Sequence, residues 1–125
     1  MTIDWRYVPP ADGWEDSERD VVAWVDVVAL NRAWRRTDQY IVPGGGNGQD
    51  QRYARVGEWF ASNRHCNIVA ASLDEGTILF TDDRHRFSWL RDQGVVAIPI
   101  QISPLEAAEF EQLFSTPFRG SVIPA

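Results

Sequence analysis

Short apolar segments alternate along the chain with segments whose apolar residues recur at helical spacing. The apolar segments predict buried strands over residues 21–25, 66–73, 77–81 and 95–102. The helical spacing predicts helices that begin near residues 26, 50, 84 and 104. Strands interleaved with short helices favour an α/β (α+β) domain, here a small mixed sheet flanked by short helices.

Residues at the ends of these segments support the assignment. Asp26 is suited to cap the first helix, and Gly94 is suited to end the third in a left-handed conformation. Residues 103–106, Ser-Pro-Leu-Glu, have the pattern of a capping box with proline at the first helical position. Residues 74–76, Asp-Glu-Gly, predict a hairpin turn between two strands.

Residues 1–20 differ from the rest of the chain. They are polar and acidic, and proline and glycine interrupt them. Trp5, Tyr7 and Trp14 predict that this acidic N-terminal arm packs against a single domain formed by residues 21–125.

Composition narrows the function classes. The 125 residues carry 18 acidic and 12 basic side chains, a net charge of −6, which disfavours non-specific binding to DNA or anionic membranes. No apolar run approaches the roughly 20 residues of a membrane span, and the N-terminus does not resemble a secretory signal. With one cysteine, Cys66, an internal disulfide is excluded, and a cytoplasmic location without membrane partners is expected.

Every basic residue other than histidine is an arginine. The absence of lysine excludes a P-loop lysine and Schiff-base chemistry. An anionic ligand must therefore be bound by arginine, histidine or backbone N–H groups.

The segment from Leu79 to Ile100 contains the densest group of side chains that could bind a ligand or take part in catalysis. A strand runs into Asp82 and Asp83, and Arg84, His85 and Arg86 open the next helix. A helix N-terminus presents free N–H groups and a positive dipole end, so these side chains predict a phosphate site. The alternative is that an aspartate caps the helix and the arginines are solvated.

The two aspartates occupy the position that an anion would take. A Mg²⁺ ion bridging Asp82 and Asp83 to a substrate phosphate would resolve this conflict. Asp82, His85 and Arg86 are then the predicted catalytic residues.

A glycine-rich loop, residues 43–48, offers a second phosphate contact. Gly44, Gly45, Gly46 and Asn47 are predicted to close over a phosphate at the start of the next helix, beside Arg52. The alternative is a flexible surface connection, because the loop lacks the spacing of a P-loop.

Other residues give weaker signals. His65 and Cys66 lack partners at metal-ligand spacing. Trp34 and Trp89, which lie near arginines, are suited to stack on a base but are expected to pack in the core.

Residues 21–114 resemble the ParB/sulfiredoxin superfamily in the order of their elements, and the segment from Asp82 to Pro99 carries the specific part of the resemblance. The resemblance lies in a strand ending in acidic residues, a His85-Arg86 pair that opens a helix, Gly94, and the strand Val96-Ala97-Ile98-Pro99-Ile100. The Arg-His-Arg form followed by Phe-x-Trp-Leu is most similar to plasmid fertility inhibition proteins, which act against conjugative DNA transfer.

The resemblance implies roles for individual residues. His85 and Arg86 match the superfamily's basic pair, which implies phosphate contact, and Asp82 matches the acid before the helix. Asp83 replaces the usual glycine, and Arg84 stands where sulfiredoxins have a reactive cysteine, so reductase activity is not expected.

Three functions follow as hypotheses. The first is a nucleotide-binding protein, with ATP as ligand or substrate, that interferes with conjugation or type IV secretion. The second is a ParB-like nuclease, for which Arg32, Arg35, Arg36, Arg52 and Arg55 are the available basic residues. The third is a non-enzymatic inhibitor or immunity-type protein that binds a secretion or toxin component through its acidic arm.

Overall fold

A four-stranded mixed sheet organises the protein. The computed structural model describes residues 1–14, 18–81 and 83–125. Its strands are β1 (Asp4–Arg6), β2 (Val21–Asp26), β3 (His65–Asn67), β4 (Val69–Asp74), β5 (Thr77–Phe80) and β6 (Ala97–Ile102). Its helices are α1 (Val27–Trp34), α2 (Arg52–Ser62), α3 (Arg84–Asp92) and α4 (Pro104–Phe114).

The main sheet has the strand order β2-β6-β4-β5. β6 is antiparallel to β2 and parallel to β4, and β4 forms an antiparallel hairpin with β5. Every residue of β6 is buried, as expected for a central strand covered on both faces. The predicted small mixed sheet with flanking helices is therefore confirmed.

The predicted strand at residues 66–73 is divided in two. β3 pairs in parallel with β1, and the chain then changes partner so that β4 joins β6. The division falls at Ile68, whose N–H donates to the carbonyl oxygen of Arg6 at 2.9 Å. Residues 4–6 of the predicted arm thus supply a strand to a second, two-stranded sheet.

The rest of the arm is hydrogen-bonded at Tyr7 and Val8 and is exposed at Trp14. The Tyr7 hydroxyl donates to the carbonyl of Asp20 at 2.8 Å, and buried Gln101 hydrogen-bonds both the N–H and the carbonyl of Val8. Trp14 is 66% exposed, so its ring contributes little to the attachment of the arm.

The helix boundaries follow local chemistry. The carboxylate of Asp26 accepts from the N–H of Ala29 at 3.1 Å and caps α1 as predicted. α2 begins at Arg52 rather than residue 50, because Asp50 and Gln51 are both left-handed, with φ of 52° and 59°. Ser103 caps α4, but Glu106 accepts from the N–H of Leu73 in β4, so the capping box is only half formed.

The core surrounds Trp34 at the end of α1. Its indole makes edge-to-face contacts with Phe80 and Phe87 at 5.0 and 5.4 Å, and it is fully buried. Trp89 stacks on Phe60 and joins α3 to α2. The expectation that these tryptophans pack in the core is confirmed. Within the described residues, no helix is long and apolar enough to cross a bilayer.

Candidate functional site

The three basic residues that open α3 point in different directions. Arg84 donates from Nη1 to the carbonyl of Gln39 at 2.9 Å. His85 Nε2 accepts from the N–H of Gln49 at 3.0 Å. Successive helical residues are about 100° apart around the axis, so neighbouring side chains cannot share one ligand easily. The predicted three-residue phosphate receptor is not assembled.

His85 has the environment of a buried acceptor. Its side chain is covered by the loop before α2, and 4% of the residue is exposed. Burial, reinforced by the charges of Arg84 and Arg52, lowers the pKa of the imidazole. The neutral ring is the form that can accept the Gln49 N–H at Nε2.

Arg86 is the member of the group that reaches a cavity. Its guanidinium donates to the carbonyl of Asn67 at 3.0 Å and pairs with the carboxylate of Asp83 at 3.1 Å. The Arg86 side chain is 25% exposed. It retains donors beyond these contacts, because a guanidinium has five N–H groups.

A cavity of about 500 Å³ lies beside Arg86, and we call it the arginine cavity. Three further arginines line it: Arg6 from β1 and Arg52 and Arg55 from α2. None of its lining residues within the described part of the chain is acidic. Four arginines from three separate elements therefore meet around one space in a chain whose net charge is −6.

The remaining wall of the arginine cavity is largely apolar. It is formed by Val56, Trp59, Phe60, His65, Cys66 and Asn67. Trp59 is 44% exposed, and its Nε1 donates to the carbonyl of His65 at 2.8 Å, which fixes the ring. Burial raises the pKa of the Cys66 thiol to about 11, so the thiol stays protonated and unreactive at neutral pH.

A second cavity of about 560 Å³ lies on the other side of Arg86, and we call it the acidic cavity. Glu18, Asp20 and Asp83 line it together with Pro9, Pro10 and Trp14. Arg86 and Asn67 line both cavities and separate them.

The glycine-rich loop lines neither cavity. The N–H of Gly44 donates to the carboxylate of Asp92 at 2.9 Å, and that of Gly45 to the carbonyl of Val42. The Asn47 side chain hydrogen-bonds the N–H of Val42 and the carbonyl of Tyr40. The amides of Gly44 and Gly45 thus satisfy acceptors of the protein itself, which explains why the loop does not form the predicted cradle.

Asp92 secures this loop and the first turn of α2 together. Burial alone would raise the pKa of its carboxyl, but hydrogen bonds from Arg91, Tyr53 and Gly44 outweigh burial and lower it. The Tyr53 hydroxyl donates to Asp92 at 2.6 Å. Burial and this hydrogen bond raise the pKa of Tyr53 to about 12.

Of the predicted site residues, Arg52 and Arg86 line the arginine cavity together. Arg84, His85 and the loop from Gly44 to Asn47 line neither cavity. Asp83 lines the acidic cavity, and Asp82 lies outside the described residues.

Three lining residues of the arginine cavity, Arg6, Trp59 and His65, are not among the predicted site residues. The spacing of Arg52, Arg55 and Trp59 at i, i+3 and i+7 would have placed them on one helical face. Arg6 had no comparable signal, because its position depends on the pairing of β1 with β3.

The predicted Mg²⁺ site has limited support from the protein alone. Among the residues that the structure describes, no group of three or more His, Cys, Asp or Glu side chains could hold a metal ion. Asp83 is engaged by Arg86. The predicted Mg²⁺ site, which also needs Asp82 and substrate phosphate oxygens, stays a prediction.

The fold and this cavity define a small α/β protein with a cationic, aromatic-lined pocket. Residues 22–115 match the family model described as plasmid fertility inhibition factor, and the chain belongs to this family. Arg52, Arg55 and Arg86 lie within the matched segment, and Arg6 precedes it. A search of curated protein sequences gave no significant match.

The chain is also similar to a solved structure. It is a gold(I) cyanide derivative of oncogenic suppression activity protein, described as a plasmid fertility inhibition factor, with a TM-score of 0.65 and 18% sequence identity. The similarity covers 86% of this chain and 62% of that one, so the chain spans less than two thirds of its neighbour's length. At this identity the neighbour supports the fold.

Proposed function

We propose that this chain binds a nucleotide, ATP in the first instance, through its phosphates in the arginine cavity, and that it acts in fertility inhibition by interfering with conjugative DNA transfer. One observation carries the proposal. Arg6, Arg52, Arg55 and Arg86 surround a cavity in which no described lining residue supplies a negative charge. The family membership supports the role in fertility inhibition.

The physical argument starts from charge. Guanidinium groups gathered around one space repel one another unless an anion neutralises them. Arginine forks match the geometry of phosphate oxygens, and each hydrogen bond to a charged group contributes about 1.5–3 kcal/mol. Two or three such contacts are sufficient for millimolar to micromolar affinity, which corresponds to a binding free energy of about −4 to −8 kcal/mol.

The apolar wall suits the other end of a nucleotide. Trp59 is partly exposed beside Val56, and its ring orientation is fixed by the hydrogen bond to His65. Base–aromatic stacking contributes about 1–3 kcal/mol and tolerates any base. Phosphates on the arginines and the base on Trp59 together account for both parts of the wall.

The proposal includes a second step, in which the bound ATP is hydrolysed. Phosphoryl transfer needs positioning and charge stabilisation, which arginines supply. The predicted carboxylates for orienting a water are Asp82 and Asp83, and Asp83, which lines the acidic cavity, is linked to the arginine cavity through its ion pair with Arg86. His85 would contribute through its position rather than as a proton carrier, because its Nε2 already accepts the Gln49 N–H.

Isothermal titration with ATP tests the proposal, with and without Mg²⁺ and at low ionic strength. Wild-type protein is expected to bind, and Arg86→Ala is expected to weaken binding about tenfold or more. Arg32→Ala is the matched control, because Arg32 is exposed on α1 and does not line the cavity. Equal affinities for both variants, or no binding by the wild type at millimolar ATP, would contradict the proposal. Phosphate release measured on the same samples tests hydrolysis separately.

A nuclease remains an alternative with less support. A nuclease needs a continuous basic track for the DNA backbone. Arg52 and Arg55 line the cavity, whereas Arg32, Arg35 and Arg36 lie at the end of α1 and do not. Cleavage of single-stranded DNA by the wild type, abolished by Arg55→Ala, would favour the nuclease.

The acidic cavity favours the third alternative, a protein-binding inhibitor. Glu18, Asp20 and the exposed ring of Trp14 would suit a basic segment of a secretion or toxin component. Capture of such a partner that persists in Arg86→Ala and is lost in Trp14→Ala would support it.

A further inference from the structure

The segment that precedes α2 is attached to α3 through His85. The N–H of Gln49 donates to His85 Nε2 at 3.0 Å, and the imidazole is nearly completely buried. Gly48 packs against the same ring, because a Cβ there would lie 3.1 Å from His85 Cδ2. The hydrogen bond and the close packing fix both the direction and the distance of this segment.

The same segment has an unfavourable backbone. Asp50 and Gln51 are consecutive left-handed residues, and neither is glycine. Such conformations are strained and persist where surrounding contacts enforce them. Gln51 makes no side-chain cap to α2, so the helix start depends on its neighbours.

We propose that His85 is a positioning residue of the arginine cavity, whose imidazole holds the segment from Gly48 to Gln51 and thereby directs Arg52 and Arg55 towards an anionic ligand. This inference rests on the proposed function, because it assigns His85 a role in the same site. It differs from the role expected from the sequence, in which His85 itself contacts phosphate.

The connection from His85 to the two arginines is short. The N–H of Arg52 donates to the carbonyl of Gln49 at 2.9 Å, and that of Arg55 to the carbonyl of Gln51 at 3.1 Å. Loss of the His85 acceptor would remove the hydrogen bond that ties the N–H of Gln49, an exposed residue, to α3. Residues 49–51 would then be free to relax, and the start of α2 at Arg52 would move with them.

A second anchor, at Tyr53, limits the effect to the start of α2. Tyr53 is held by Asp92 at the other end of α3, and this contact does not involve His85. The remainder of α2 packs on α3 through Phe60 and Trp89. Substitution of His85 is therefore expected to alter the position of Arg52 and Arg55 more than it alters the fold.

The test compares His85→Gln with His85→Leu, using ATP as the probe. Glutamine retains an acceptor for the Gln49 N–H, whereas leucine fills a similar volume without one. His85→Leu is expected to weaken ATP binding about tenfold, and His85→Gln to remain within about threefold of the wild type. Ser88→Ala is the stability control, because buried Ser88 contacts the carbonyl of His85 and not the loop.

Amide hydrogen exchange gives a readout that needs no ligand. The Gln49 amide is expected to be protected in the wild type, His85→Gln and Ser88→Ala, and to exchange rapidly in His85→Leu. If His85→Leu does not fold, His85→Ala replaces it, since alanine also lacks an acceptor.

The outcomes separate this inference from the proposed function. Unchanged ATP affinity in folded His85→Leu, or loss of affinity in both variants without rescue by glutamine, would overturn the positioning role. If the wild type does not bind ATP, the proposed function fails. In that case, shifts of the Arg52 and Arg55 amide resonances in His85→Leu but not His85→Gln would support the positioning role, and unchanged resonances would overturn it.

Discussion

The two cavities that meet at Arg86 have opposite charge. The arginine cavity collects four guanidinium groups, and none of its described lining residues is acidic. Among the described residues that line the acidic cavity, Glu18, Asp20 and Asp83 are acidic and Arg86 is the one cation. The described wall of the arginine cavity carries no carboxylate, although Asp50 and Asp83 pair with Arg52 and Arg86 from outside it, at 3.9 and 3.1 Å. The difference shows that the fold sorts charge, and sorted charge is typical of a binding site.

The largest expected effect comes from reversing one charge in the arginine cavity. Arg55→Glu removes a donor and adds a repulsive carboxylate, so we expect ATP affinity to fall about 100-fold, equivalent to about 2.7 kcal/mol. Isothermal titration measures it. Arg35→Glu, which makes the same change at an exposed residue directly after α1, is expected to have little effect. Similar losses in both variants would show that net charge, and not the cavity, governs binding.

A smaller effect is expected from Gly45, whose neighbour Tyr53 lies on α2 one position from Arg52. Gly45 has a φ of +74°, and a Cβ there would lie 2.3 Å from the Tyr53 ring. We expect Gly45→Ala to lower the free energy of unfolding by about 2 kcal/mol, because the left-handed backbone and the clash add.

Gly46→Ala is the matched control for that substitution. A Cβ at Gly46 meets no atom within 4 Å, so its effect is expected to stay within about 0.5 kcal/mol. Urea denaturation of both variants measures the difference. Equal stabilities would show that the loop does not support α2.

A modest gain is expected from removing the contact that Asp83 makes across the boundary between the cavities. Asp83 competes with a phosphate for Arg86, and the ion pair is partly exposed, so its strength is limited to about 1 kcal/mol. We expect Asp83→Asn to increase ATP affinity about threefold at low salt. Asp20→Asn, on the far side of the acidic cavity, serves as the control. A loss of affinity would instead indicate that Asp83 helps to bind the ligand.

The smallest effect concerns pH. Burial holds the pKa of folded His85 below its ordinary value of 6.5. Below pH 6.5 the unfolded chain therefore binds a proton that the folded protein does not, and the free energy of unfolding falls as the pH falls. Urea denaturation at about pH 8 and about pH 5 is expected to show a smaller decrease in His85→Gln than in the wild type. Equal decreases would mean that His85 does not contribute.

The architecture could be predicted from the sequence because it depends on local patterns. The strand pattern, Asp26 and Gly94 fixed most element boundaries, and Gly94 has the expected positive φ of 83°. The break at Ile68 could not be foreseen, since it arises from a change of partner strand.

The site was predicted only in part. Arg52 and Arg86 were selected and do lie together, whereas Arg84 and His85 were grouped with them because of adjacency in sequence. Adjacent helical residues face different neighbours. The glycine-rich loop did not form a phosphate site because the amides of Gly44 and Gly45 already donate to Asp92 and Val42. Residues such as Arg6 reach the cavity through long-range pairing, which a single sequence does not reveal. Membership of the ParB/sulfiredoxin superfamily stays a prediction.

A crystal structure of the protein with a bound nucleotide, obtained with a non-hydrolysable ATP analogue, tests the central claim most directly. The account predicts phosphate oxygens within hydrogen-bond distance of Arg52, Arg55 and Arg86, with the base against Trp59. A nucleotide bound outside the arginine cavity, or a cavity left empty at saturating ligand, would contradict it.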